Sequence, residues 1–146
     1  MTAPANPAVE RATQLIALTR RLTDLLAAET RAFEARRPHE AAVHVEEVGQ
    51  LANVYRRESA RLKDNPALIE GVPPKVKAEL MQVTQTFEAV LARHGRALAA
   101  AKTITEGLVQ AIAQEVAAAR AKGAGYGPTA RGRPADASAV TLNRKA

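Results

Sequence analysis

Between Val76 and Val116 apolar residues recur at threes and fours without a break, and this one feature restricts the chain more than any other. Val76, Leu80, Val83, Phe87, Val90 or Leu91, His94, Leu98, Ala101, Ile104, Leu108, Ile112 and Val116 hold helical spacing, with no proline among them. Pro73 and Pro74 reset the chain just before the run, and Gly123 offers a C′ position just after it. The pattern predicts a helix over 75–122, about 48 residues and roughly 70 Å long. Such a stripe cannot be buried by its own helix, so other segments have to cover it.

Two shorter helices precede it. Asn6 followed by Pro7 is a start signal: a side chain that caps, then a residue whose missing N–H costs nothing in the first turn. Leu15, Leu18, Leu22, Leu25 or Leu26, Glu29 and Phe33 then share one face, which predicts a helix from about 7 to 36. Pro38 interrupts the ladder. A second stripe of Ala41, Val45, Val48, Leu51 or Ala52, Tyr55, Ser59 and Leu62 predicts a helix over 38–63, stopped near Asp64, Asn65 and Pro66. "NPALIEG" reads as one capped turn closed by Gly71.

The lengths do not match. An antiparallel hairpin of the two shorter helices covers roughly 40 to 45 Å of the third, which leaves about 20 residues over. Because the third helix starts at a short loop, the excess falls at its C-terminal end. Ile104, Leu108, Val109, Ile112 and Val116 still form an apolar face there. Soluble proteins rarely leave such a stripe wet. The expected architecture is all-α: an antiparallel three-helix hairpin or coiled-coil bundle over 1–122, with a long third helix, followed by a flexible tail over 123–146.

Composition narrows the function classes. There is no cysteine, so disulfides, thiolate metal sites and cysteine nucleophiles are excluded. No apolar run approaches the roughly 20 residues of a membrane span, and "MTAPANPAVER" lacks a secretory signal's charged start and apolar centre. A cytoplasmic protein without stable membrane insertion is expected. The formal charge is +6, with Arg131, Arg133, Arg144 and Lys145 in the tail against Asp136 alone. The rest of the excess is spread over helices of mixed sign. This reads as a solvated surface, and no nucleic-acid partner is expected.

No active site emerges. Glu40, His44 and Glu47 line one helical face, but a di-iron bundle needs Glu-x-x-His on two helices plus two further glutamates; here the spacing is Glu40-x-x-x-His44, once. His94 lies on the apolar stripe, where an imidazole can pack its ring and bond a neighbour, and His39 follows Pro38 in an exposed loop. "GAGYG" has no strand before it and no Lys-Ser/Thr after it, so it is neither a dinucleotide nor a P-loop signature. Neither an enzyme, nor a cofactor, nor a metal is expected. Gly49, Gly95 and Gly107 sit inside helical patterns at a cost of about 1 kcal/mol each relative to alanine. Tolerance explains the first two; Gly107 is explained equally by tolerance or by flexibility useful to a binding segment.

One aromatic lacks a packing reason. Phe33, Tyr55 and Phe87 fall on apolar stripes, whereas Tyr126 stands between glycines in a segment that cannot build a core. In the ending "ASAVTLNRKA", Val140 and Leu142 alternate with polar residues, either as a short docking motif or as tolerated tail residues.

The segment "LIALTRRLTDLLAAETRAFEARRPHEAAVHVEEVGQLANVYRRESARL", with its central Glu29, the short break, the long third helix and the "GYG" after it, resembles the FlgN-like chaperones of flagellar type III export, including FlbY-type flagellar proteins. The resemblance covers most of the chain; it departs in the arginine-containing extension after "GYG" and in "EEVGQ", where a lysine often follows the acidic pair. It implies a cytoplasmic chaperone that holds hook-filament junction (hook-associated) subunits and delivers them to the flagellar export gate. By that likeness the client is an amphipathic helical end, and Tyr126 is the residue that docks on the gate. The apolar face fits such a client: anchors at i, i+4 and i+8, each worth about 1.5 to 3 kcal/mol on burial before ordering costs. The alternative is structural: a coiled-coil scaffold that self-associates into a homodimer through the C-terminal half of the third helix.

Overall fold

The computed structural model describes residues 6–125, with side chains at 6–123. Tyr126, Val140, Leu142 and the rest of the expected tail beyond Gly125 lie outside the described residues. Those residues form four α-helices and a short 3-10 turn, with no strand among them: α1 (Pro7–Glu34), α2 (Pro38–Ala42), α3 (Val45–Asp64), the turn Pro66–Ile69, and α4 (Pro74–Gly125). The all-α class stands.

The start of α1 is where sequence chemistry puts it, with the Asn6 side chain accepting from the Ala8 N–H at 3.0 Å and Pro7 in the first turn. Its end comes earlier than the expected Arg36. Arg36 adopts φ 60, the N–H of Arg37 donates to the Ala32 carbonyl at 2.8 Å, and that of Arg36 to Phe33 at 3.1 Å. This pair of bonds is the Schellman closure, with arginine in the left-handed position usually given to glycine.

The second expected helix, 38–63, is two. At Val43 and His44 the ladder tightens: His44 N–H donates to the Ala41 carbonyl at 3.1 Å, an i to i−3 bond, before α3 starts from His44. The β-branched Val43 and Val45 flank this step and lose rotamer freedom in a helix. Val45, expected on the packed stripe, is 61% exposed. The step turns it outward and leaves Ala41, 2% exposed, as the buried side chain of α2. "NPALIEG" is the expected capped turn, with Gly71 at φ +83, a region that only glycine enters freely. At the far end Gly123 is inside α4 rather than its C′ residue, since the helix continues to Gly125.

The contacts divide the chain into two compact units, Met1–Ala101 and Lys102–Ala146. In the first, α1 is the helix that the others cover. Its buried residues, among them Ala12, Leu15, Thr19, Leu22, Leu26 and Glu29, wrap more than half its circumference, whereas no residue of α3 is fully buried. Leu22, Leu26 and Phe87 form the centre of the core, with Val48, Leu51, Tyr55 and Val90 packed against it. Tyr55 and Phe87 meet at 4.7 Å between ring centroids. Thr19, Thr23 and Thr30 are buried but satisfied within α1, each hydroxyl donating to the carbonyl one turn back.

Ion pairs give the chain directions. Arg21 donates from Nε and a terminal nitrogen to Glu47 at 2.8 and 2.9 Å, and a groove between α1 and α3 is lined by Arg11 and Leu15 on one side and Glu58 and Leu62 on the other, so the two run antiparallel. Arg20 meets Glu79 at 2.7 Å and Glu34 meets Arg93 at 2.9 Å, so α1 and α4 run parallel. Of the alternatives Val90 and Leu91 on the α4 stripe, Val90 turns inward and Leu91 is 45% exposed; Leu98, expected on the packed face, is 46% exposed, and Ala97, which the spacing does not mark, is buried in its place.

In the second unit the described residues belong to the C-terminal part of α4. None of its side chains is buried among those described, and Ala113 alone is half-buried there.

Candidate partner-binding face

The residues predicted to receive a client lie on that second unit. Ile104, Leu108 and Ile112 are 53%, 60% and 52% exposed, Val116 40% and Val109 61%. Helical spacing aligns Ile104, Leu108, Ile112 and Val116 as one i, i+4 ridge with Val109 on its flank. The ridge continues the spacing that buries Val83, Phe87 and Ala97 in the first unit. An exposed ridge of four branched aliphatics is a surface on which apolar side chains of another segment can pack.

Polar side chains flank it, Thr103, Thr105, Gln110 and Gln114 among them. Lys102 and Glu106 pair at 3.8 Å across one turn, both largely exposed, and Glu115, Arg120 and Lys122 are exposed further along. Among the described residues nothing lies within 4 Å of where a Cβ at Gly107, inside this stretch, would stand. Gly49 and Gly95 are equally open.

The candidates for other chemistry resolve into packing. Glu40 faces Arg37 at 3.6 Å while Glu47 is held by Arg21, and no group of three His, Asp or Glu able to hold a metal occurs among the described residues. The hydrogen bond from Arg21 holds Glu47 below the usual carboxylate range, against a smaller opposing effect of desolvation, and Glu47 in turn raises Arg21. His94 does bond a neighbour: its Nε2 lies 2.8 Å from Glu29 Oε1, and Phe33 meets its ring edge-on at 5.9 Å. Sequence reading placed both Glu29 and His94 on apolar stripes without joining them. The usable signal was a polar residue at a core position on each of two helices. His39 is exposed, as its place after Pro38 suggested. No helix among the described residues is long and apolar enough to cross a membrane.

No family model matches the chain, and no solved structure matches it. A curated relative does. The flagellar basal-body protein FlbY of Caulobacter vibrioides is 52% identical over 149 residues, an alignment that covers 100% of this chain and 100% of the relative.

Proposed function

This chain belongs to the FlbY family of flagellar basal-body proteins, and we propose that it serves flagellum assembly as a cytoplasmic export chaperone of the FlgN-like kind. In this reading it does no covalent chemistry. Ile104, Leu108, Val109, Ile112 and Val116 take up the amphipathic terminal helix of a hook-associated subunit and keep it from assembling early. Tyr126 then presents the loaded chaperone to the export gate: an aromatic ring with a polar tip offers a large contact at low ordering cost. The observation that supports the client face most is its exposure, 40% to 61% at all five positions, on a helix where Phe87 and Ala97, the heptad equivalents of Leu108 and Ile104, are buried.

The test titrates the purified terminal helical segment of a hook-associated subunit into the full chain. Leu108→Asp and Ile112→Asp are expected to abolish binding with helical content nearly unchanged, because an aspartate must be stripped of water to enter an apolar contact. Tyr126→Ala is expected to keep client binding and lose gate binding. Client binding that survives both aspartates refutes the assigned face. A wild-type chain that runs as a stable dimer in light scattering, and as a monomer with Leu108→Asp, would transfer the face to self-association.

A further inference from the structure

The buried Glu29–His94 pair performs no part of the proposed function, and it is the most unusual feature of the first unit's core. Glu29 is 5% exposed, and the side chains of the pair are 7% and 13% exposed. Glu29 Oε2 is buried with no hydrogen-bond partner among the described residues. A buried carboxyl group that satisfies only one oxygen contributes less than a leucine would in the same place. Its presence asks for a reason other than stability.

The reason lies in the spacing. Glu29 and His94 are 65 residues apart, and the core contact of Leu22 with Phe87 has the same separation, one heptad earlier on both helices. Carried back one heptad more, it sets the buried Leu15 opposite the half-buried Leu80. Two parallel helices with apolar residues repeating every seven can slide by one repeat, about 10 Å, and still meet apolar side to apolar side. Sliding α4 one way puts Leu22 opposite Leu80; sliding it the other way puts Leu15 opposite Phe87. Leucine packing at these positions is therefore tolerant of the slip, since each register keeps one leucine contact while the other leucine meets Pro73 or His94.

Glu29 is not. In one slipped register it faces Phe87 and in the other Ala101, and in neither does it find a group that can bond it. The exposed pairs Arg20–Glu79 and Glu34–Arg93 also share one separation, 59 residues, but solvent screens them and they discriminate weakly. The buried threonines bond within α1 and carry no information about α4. We propose that the Glu29–His94 pair is a register lock: it fixes α4 against α1 at one of several heptad positions that apolar packing alone would leave close in energy.

The chain has no cysteine, so two nitroxide labels can be placed without background. Glu10→Cys and Arg96→Cys are both exposed and far apart along the helices, and a one-heptad slip changes their separation by about 10 Å. The full-length chain is expected to give a single distance by pulsed electron resonance. Combined Glu29→Leu and His94→Leu should melt no lower than wild type yet show a second distance, shifted by about 10 Å. His94→Leu alone, which strands the carboxyl group, should lower the melting temperature by at least about 10 °C. Glu29→Gln, which can still bond His94, should keep the single distance. Should the leucine pair overfill the site, Glu29→Ala with His94→Ala provides the same readout. A single native distance in both apolar double variants overturns the proposal and assigns the register to the 65–73 connection, where Val72 is 4% exposed.

Discussion

Phe87 and Leu108 occupy the same heptad position of α4, one in each unit of the chain, and they meet opposite fates: 6% against 60% exposure. Each belongs to a stripe that is equally apolar and equally regular. Periodicity specifies that a helix has an apolar face; it does not specify what lies on that face. In the first unit α1 supplies Leu22 and Leu26 to meet Phe87. In the second, no described side chain is buried at all. The difference separates residues that hold the fold from residues that no described side chain covers.

The largest effect that would test this contrast is truncation at the two positions. Phe87→Ala should cost about 3 to 5 kcal/mol in urea unfolding, because it removes the ring that Leu22, Leu26 and Tyr55 pack around. Leu108→Ala should stay within about 0.5 kcal/mol of wild type. Comparable losses at both would mean that Leu108 is covered in solution, and the distinction between the units would fall.

Much of this architecture was legible where local chemistry decides it. Asn6 and Pro7, the 66–71 turn with Gly71, and Pro74 at the head of α4 depend on backbone rules that act within a few residues. What required the structure was the choice of Val90 over Leu91, the burial of Ala97 in place of the expected Leu98, and the outward turn of Val45. Those depend on which helix lies opposite and at what angle, which helical spacing alone leaves open. The same holds for Glu29 and His94, whose pairing is a property of the α1–α4 register. On the second unit the apolar face itself was legible, since it required only spacing; Tyr126 lies outside the described residues.

A smaller effect sharpens the contrast through glycine. A Cβ at Gly95 or at Gly107 would meet nothing within 4 Å among the described residues, so crowding by them reserves neither helix position for glycine. Gly95→Ala, in the first unit, should raise the stability of cooperative unfolding by about 0.5 to 1 kcal/mol. Gly107→Ala should leave the urea midpoint of that transition unchanged and increase helical circular dichroism instead. If it also weakens client binding while helicity rises, glycine at 107 serves a partner by letting the helix bend. Unchanged binding assigns it to tolerance.

The smallest expected effect concerns charge. Arg21 and Glu47 join two helices, whereas Lys102 and Glu106 lie one turn apart on a single helix. The guanidinium bond lowers the folded-state pKa of Glu47 below its unfolded value. A group shifted in that direction stabilises the fold at pH values above the ordinary carboxylate range, and the contribution disappears as pH falls through the lowered folded value. Both side chains are about half exposed, so the effect is modest and screened by salt. Wild type should therefore exceed Glu47→Gln in urea midpoint at neutral pH and low ionic strength, with the gap closing on acidification. Glu106→Gln, which breaks a pair that ties no second helix, should show no such gap at any pH. A gap of equal size for both variants would mean that the pair on the second unit also reports on cooperative folding, and the two regions would then be one structure with two faces rather than a folded core and an available helix.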